Sequence, residues 1–138
     1  MVKTKRMDKL EYISGDLVMV KKSALQFAKD KIFKVISSLS GGFLKVVMLN
    51  DSSTTYSISN NAIRPIPLTP EILEKNGWKS INGKYALKIK SANYVVLEFT
   101  EDGIYTYINE NTMLFTIKYI HELQHLLFGF GINHEMEV

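Results

Sequence analysis

Between residues 15 and 59, hydrophobic and polar side chains alternate in short runs that are cut by turn formers. "GDLVMVKK" (15–22) sets Leu17 and Met19 against Val18 and Val20. "DKIFKVISSL" (30–39) sets Ile32, Lys34 and Ile36 against Phe33, Val35 and Ser37. "GGFLKVVML" (41–49) leaves a Gly-Gly turn, and the β-branched "STTYSIS" (53–59) follows Asn50-Asp51. A period of two belongs to a strand with two distinct faces. Four or five such strands, regularly spaced with turns between them, predict a small antiparallel barrel.

The pattern breaks at "IRPIPLTPEILEKNGW" (63–78), which carries all three prolines. Pro65 and Pro67 lack an N–H and interrupt sheet pairing. Thr69 is then a good N-cap, Pro70 suits the first helical position, and Gly77 ends a short helix over "PEILEKN". Leu68 is placed to staple against Leu73. Beyond it, Asn82-Gly83 between strand-like runs predicts a type I′ hairpin, and "NYVVLEF" (93–99) with "IYTYINE" (104–110) flank a second turn, "TEDG".

The periodicity changes once more in "TIKYIHELQHLLFGF", where Ile120, Leu123, Leu127 and Phe130 recur at helical steps. The fold class is therefore α+β and mostly β. The boundaries expected are a flexible basic segment over 1–12, a barrel over 13–66, and an α+β unit over 67–138 that ends in the amphipathic helix. The first of these folded parts, opening on "GDLVMV" and closing on "NNAIRPI", resembles an SH3-like barrel in its pattern of strands and turns. Such barrels carry protein, peptide and nucleic-acid binding alike.

A hydrophobic content of 46% with 22% charged residues is that of a folded chain. Cysteine is absent, which excludes disulfides and thiolate metal sites and fits a reducing compartment. No apolar run approaches the roughly 18 residues of a membrane span. The basic N-terminus lacks the apolar stretch of a signal peptide. A cytoplasmic location is the expectation. Residues 1–66 hold eleven Lys and Arg against five Asp and Glu, while 67–138 hold six against nine. A basic first half points to an anionic partner.

The stretch "IRPIPLTPEILEKNGW", taken with "YIHELQHLLFGFGI", resembles uncharacterised small proteins of Bacteroides-type gut bacteria and their phages, over residues 60 to 136. In such proteins the last helix reads more like "VHQLQN". The resemblance implies a phage or mobile-element accessory protein acting in the host cytoplasm, with counter-defence as a fitting role. It also implies that the zinc-like spacing in the last helix is incidental.

That spacing is His121-Glu122-Leu123-Gln124-His125, the H-E-x-x-H of zinc peptidases, in which two His bind the metal and the Glu serves as base. At 100° per residue, His125 falls about 40° from His121, while Ile120, Leu123, Leu127 and Phe130 cluster between about 180° and 260°. Both imidazoles are therefore expected in solvent, opposite the apolar stripe. A third ligand is not in sight: His134 lies nine residues beyond His125, where the extended motif requires six. The expectation is no metal, no cofactor and no catalytic residue, with zinc peptidase as the rival from another class.

The better candidates lie in the barrel half. Lys21, Lys22, Lys34, Lys45, Tyr56 and Arg64 are the expected ligand-binding residues, with Lys31, Phe27, Phe33 and Phe43 nearby in sequence. Cations interleaved with rings suit single-stranded nucleic acid. "SALQFAKD" (23–30) would be a loop at the mouth of that site. The partners expected are a host protein or a nucleic acid or nucleotide. An uncovered Phe128 would instead favour a protein partner or a second copy of the chain.

Overall fold

The computed structural model describes residues 12–21, 31–89, 93–109 and 111–138. The segment 1–11, Lys22, Phe27 and the loop over 23–30 lie outside the described residues. What is described is mostly strand, arranged as two antiparallel five-stranded sheets, with a helix near the C-terminus. This is the α+β, mostly-β class that the alternation predicts.

Residues 12–66 and Tyr119–Glu135 make up one unit. Its strands are β1 (Leu17–Val20), β2 (Ile32–Leu39), β3 (Phe43–Met48), β4 (Asp51–Ser59) and β5 (Ile63–Pro65). They lie in the order β4-β3-β2-β1-β5. The sheet is open: among the described pairings none joins β4 to β5, so the expected barrel is not closed. One face carries the core, in which Val18, Val20, Phe33, Val35, Leu44, Val46, Ile58 and Ile63 are all buried.

A register shift between Val35 and Ser37 inserts Ile36 as an extra residue. Beyond it the alternation inverts, so Ser37 stands opposite Lys45 rather than continuing the face of Phe33 and Val35. This departs from the unbroken alternation expected of β2, because a bulge cannot be read from a period of two.

The terminal helix, α2 (Ile120–Gly129), belongs to this unit and not, as expected, to the hairpin half. The backbone N–H of Ile120 reaches the carbonyl of Ile66 at 2.8 Å. Its apolar stripe is buried as predicted at Ile120, Leu123 and Leu127.

The other unit comprises Pro67–Lys118 and Met136–Val138. Thr69 caps the short helix α1 (Pro70–Lys75), its Oγ1 accepting from the Ile72 N–H at 3.3 Å. The staple pair Leu68 and Leu73 is buried. Asn76, just past α1, makes reciprocal hydrogen bonds with the backbone of Glu137, both at 2.8 Å.

The sheet here runs β10-β9-β8-β7-β6, from β6 (Lys79–Ile81), β7 (Lys84–Lys88), β8 (Tyr94–Thr100), β9 (Gly103–Ile108) and β10 (Thr112–Ile117). Asn82 and Gly83 take φ of 52° and 80°, the left-handed pair that a type I′ turn demands. Strand β10 uses residues that the helical pattern was expected to include. Thr112, Thr116 and Ile117 are β-branched, and pairing with β9 stops before the helix begins at Ile120.

Candidate functional site

The H-E-x-x-H segment sits on α2, but its polar side chains do not face solvent. His121 is 3% exposed, Glu122 8% and Gln124 0%. The expectation of two imidazoles in bulk water is therefore corrected. A helical wheel identifies the apolar side, but it does not say whether the opposite side is also covered.

What covers it is the turn before β1. The Gln124 side chain is fully engaged there: its Oε1 accepts from the Leu17 N–H at 2.9 Å, and its Nε2 donates to the carbonyls of Gly15 and His134, each at 2.9 Å. His134 Nε2 lies 3.1 Å from the Ser14 carbonyl. A buried amide with its capacity met in this way fixes the helix against that turn.

Asp16 is wholly buried and His125 is nearly so, with the His125 Nε2 2.6 Å from the Asp16 Oδ2. The same oxygen accepts from the Ile13 N–H at 2.8 Å, whereas Oδ1 has no hydrogen-bond partner. Burial pushes the Asp16 carboxyl above its ordinary range, and the His125 and Ile13 hydrogen bonds oppose that rise.

His121 packs between rings. Its centroid is 4.9 Å from Tyr12, 5.9 Å from Tyr119 in a stacked arrangement, and 5.6 Å from His125. Its Nδ1 is buried without a partner. Burial first, and the neighbouring His125 second, bring its pKa down to about 4. Burial also drives the Tyr12 hydroxyl up to about 12, with Asp16, Glu122 and Tyr119 adding to the rise.

The chemistry this cluster can do is limited by prior engagements. Glu122 Oε1 accepts from the Tyr119 N–H at 3.0 Å, the backward half of a capping box at the start of α2. The Glu that a peptidase would use as base is thus holding a helix end, and His125 is held by Asp16. Among the described residues no group of three or more His, Cys, Asp or Glu is arranged to hold a metal ion. Asp16, Gln124 and Tyr12 were not legible as partners. The only local signal was the Gly-Asp turn ahead of β1, which reads simply as a turn.

The cationic candidates separate by strand parity. Lys34 pairs with Leu17 on one side and Val47 on the other, Lys45 pairs with Ser37 and Ser57, and Arg64 pairs with Met19. All three lie on the sheet face opposite that core, a face on which Leu17 and Val47, the cross-strand neighbours of Lys34, are themselves buried. Lys45 and Arg64 are exposed, and Lys34 is half-buried. Tyr56 stands opposite Val46, on the core side, and packs edge-on against Phe33 at 6.0 Å. It is thus removed from the proposed set. Lys21 is exposed just past β1, its backbone N–H bonded to the Ala62 carbonyl.

Phe43 lies on the same outward face as Lys45 and is 43% exposed. Ser57 and Ser59 of β4 complete the neighbouring positions. The single carboxylate within the five strands is Asp51, at the start of β4, where the Ser53 hydroxyl and backbone N–H hold it below the usual carboxylate range. The exposed part of this face, around Phe43, Lys45 and Ser57, is thus cationic, hydroxyl-bearing and partly aromatic. Comparison with family models, with curated proteins and with solved structures gives no match for this chain. Among the described residues no helix is long and apolar enough to cross a membrane.

Proposed function

We propose that the protein is a non-enzymatic binding module that takes a nucleic acid on the outward face of its first sheet. The observation that carries this reading is the placement of Lys34, Lys45 and Arg64 on one face with exposed Phe43 and no carboxylate among the described strand residues of that face. Cations bind phosphates by releasing counterions, and an exposed ring offers a stacking surface for a base. A role as a phage or mobile-element accessory protein, which the proline-rich boundary and the terminal helix imply by resemblance, accommodates such binding. Against a zinc peptidase stand the capping role of Glu122 and the Asp16 contact of His125.

The test is fluorescence anisotropy of the whole chain with a labelled single-stranded oligonucleotide over a salt series. Lys34→Glu with Lys45→Glu should weaken binding and flatten the slope of log K against log salt by about 0.7 for each phosphate contact removed. Equal affinity and equal slope for the wild type and the double variant would overturn the assignment to this face. Oligonucleotide binding that salt does not weaken would overturn the phosphate-contact basis.

A further inference from the structure

The second sheet has a face of different character from the first. Its inner face, with Val95, Leu97 and Ile104, is buried, and Leu73 and Trp78 from the α1 region are buried as well. The register places Tyr94, Tyr105, Tyr107, Lys79, Lys84 and Lys88 together on the other face. Lys88 stands opposite Tyr94, Ala86 lies between Lys79 and Val96, and Val96 pairs in turn with Tyr107. Tyr105 follows two residues from Tyr107 on the same strand, opposite Glu98.

The rings are held in position. The Tyr107 hydroxyl lies 3.1 Å from Glu98 Oε1, the Tyr105 hydroxyl lies 3.3 Å from Asp102 Oδ2, and the Lys84 ammonium sits 5.7 Å from the Tyr107 ring centroid. Tyr94 is 41% exposed, and its backbone N–H is tied to the Asn109 side chain at 2.8 Å. Three lysines against Glu98 and the adjoining turn residue Asp102 leave this face net cationic, although its half of the chain is acidic in sum. The remaining acids of this unit lie on α1, in the turns and in the C-terminal tail, or outside the described residues.

We propose that this face is a stacking platform for the unpaired bases of a single-stranded nucleic acid. Two rings at a two-residue step on one strand are about 7 Å apart. The third is offset diagonally on the neighbouring strand, within reach of aromatic side chains. Consecutive bases of an extended strand can lie across such an array, with the flanking ammonium groups on the phosphates. A protein partner would also accept tyrosines. The three lysines, however, call for a polyanion, and the rings call for planar partners. Both demands are met by one strand of nucleic acid. The proposal shares its ligand class with the reading of the first sheet but rests on other residues, so either can fail without the other.

The test uses the full chain with a labelled oligonucleotide of unpaired thymidines or uridines, and a duplex of equal length. Tyr105→Leu and Tyr107→Leu should each weaken single-strand binding about tenfold, whereas Tyr105→Phe and Tyr107→Phe, which keep the ring and lose the hydroxyl contact, should stay within about twofold. The duplex should bind more weakly than the single strand and respond little to any of these changes. Lys34→Glu with Lys45→Glu, on the first sheet, reads the other face separately. Leucine variants that keep their far-UV spectrum and still bind single strands like the wild type would overturn the platform. So would equal losses for the phenylalanine and leucine variants, or a self-associated chain in which these tyrosines are protected from iodination.

Discussion

Acidification should destabilise the unit that contains α2, and His121 sets the size of the effect. Its imidazole is buried between Tyr12 and Tyr119 with an unpartnered Nδ1, so the folded state favours the neutral ring. The folded-state pKa of about 4 lies below the ordinary value of 6.5. A depressed pKa means that the unfolded chain takes up the proton first. The contribution is therefore complete above pH 6.5 and is lost as pH falls toward 4. Applied to those two values, linkage gives a loss of about 2 kcal/mol between pH 7.5 and pH 5.0.

Asp16 acts in the opposite sense. Its raised pKa stabilises the fold below the ordinary carboxylate value of 3.8, and that contribution fades as pH rises through the folded value. The control is His121→Phe, which keeps an aromatic ring between Tyr12 and Tyr119, removes the titration and breaks no Nδ1 hydrogen bond. The assay is urea unfolding of the wild type and the variant at pH 7.5 and pH 5.0, followed by far-UV circular dichroism. Taking the difference between the two proteins cancels every group they share. Should both lose the same stability on acidification, the buried neutral imidazole is not the cause.

Gln124→Leu removes three hydrogen bonds, one buried and two partly buried, and leaves the Leu17 N–H and the Gly15 carbonyl without that partner. A loss of about 3–5 kcal/mol is expected by urea unfolding, and a loss below about 1 kcal/mol would show that the amide is not the clasp described. Gly103→Ala places a methyl group 2.8 Å from Thr116 Cγ2 and 3.3 Å from the Ile117 carbonyl, at a φ of +132° that side chains rarely adopt. It should cost about 2 kcal/mol or more, read by urea unfolding followed through the fluorescence of Trp78, which lies in the same unit.

Local chemistry alone determined a good deal of this protein. The alternation of Val18, Val20, Phe33 and Val35 marks strands. Asn82-Gly83 marks a turn that needs two left-handed residues, and Thr69-Pro70 marks a helix start. Each follows from steric or hydrogen-bonding preferences spanning a few residues, which a linear reading contains in full.

Tertiary contact decided the rest. Whether His121 meets water depends on a turn more than a hundred residues earlier in the chain, which presents the Leu17 N–H and the Gly15 carbonyl to Gln124. The pairing of β2, β3 and β4 places Lys34 and Lys45 on one face and sends Tyr56 to the core, and a bulge at Ile36 that no periodicity announces turns Ser37 to the side of Lys45. Charge behaves likewise. Summed along the chain, the second half is acidic, yet antiparallel pairing gathers Lys79, Lys84 and Lys88 onto one face with the tyrosines. Faces are made by register between strands, and register is a property of the folded sheet.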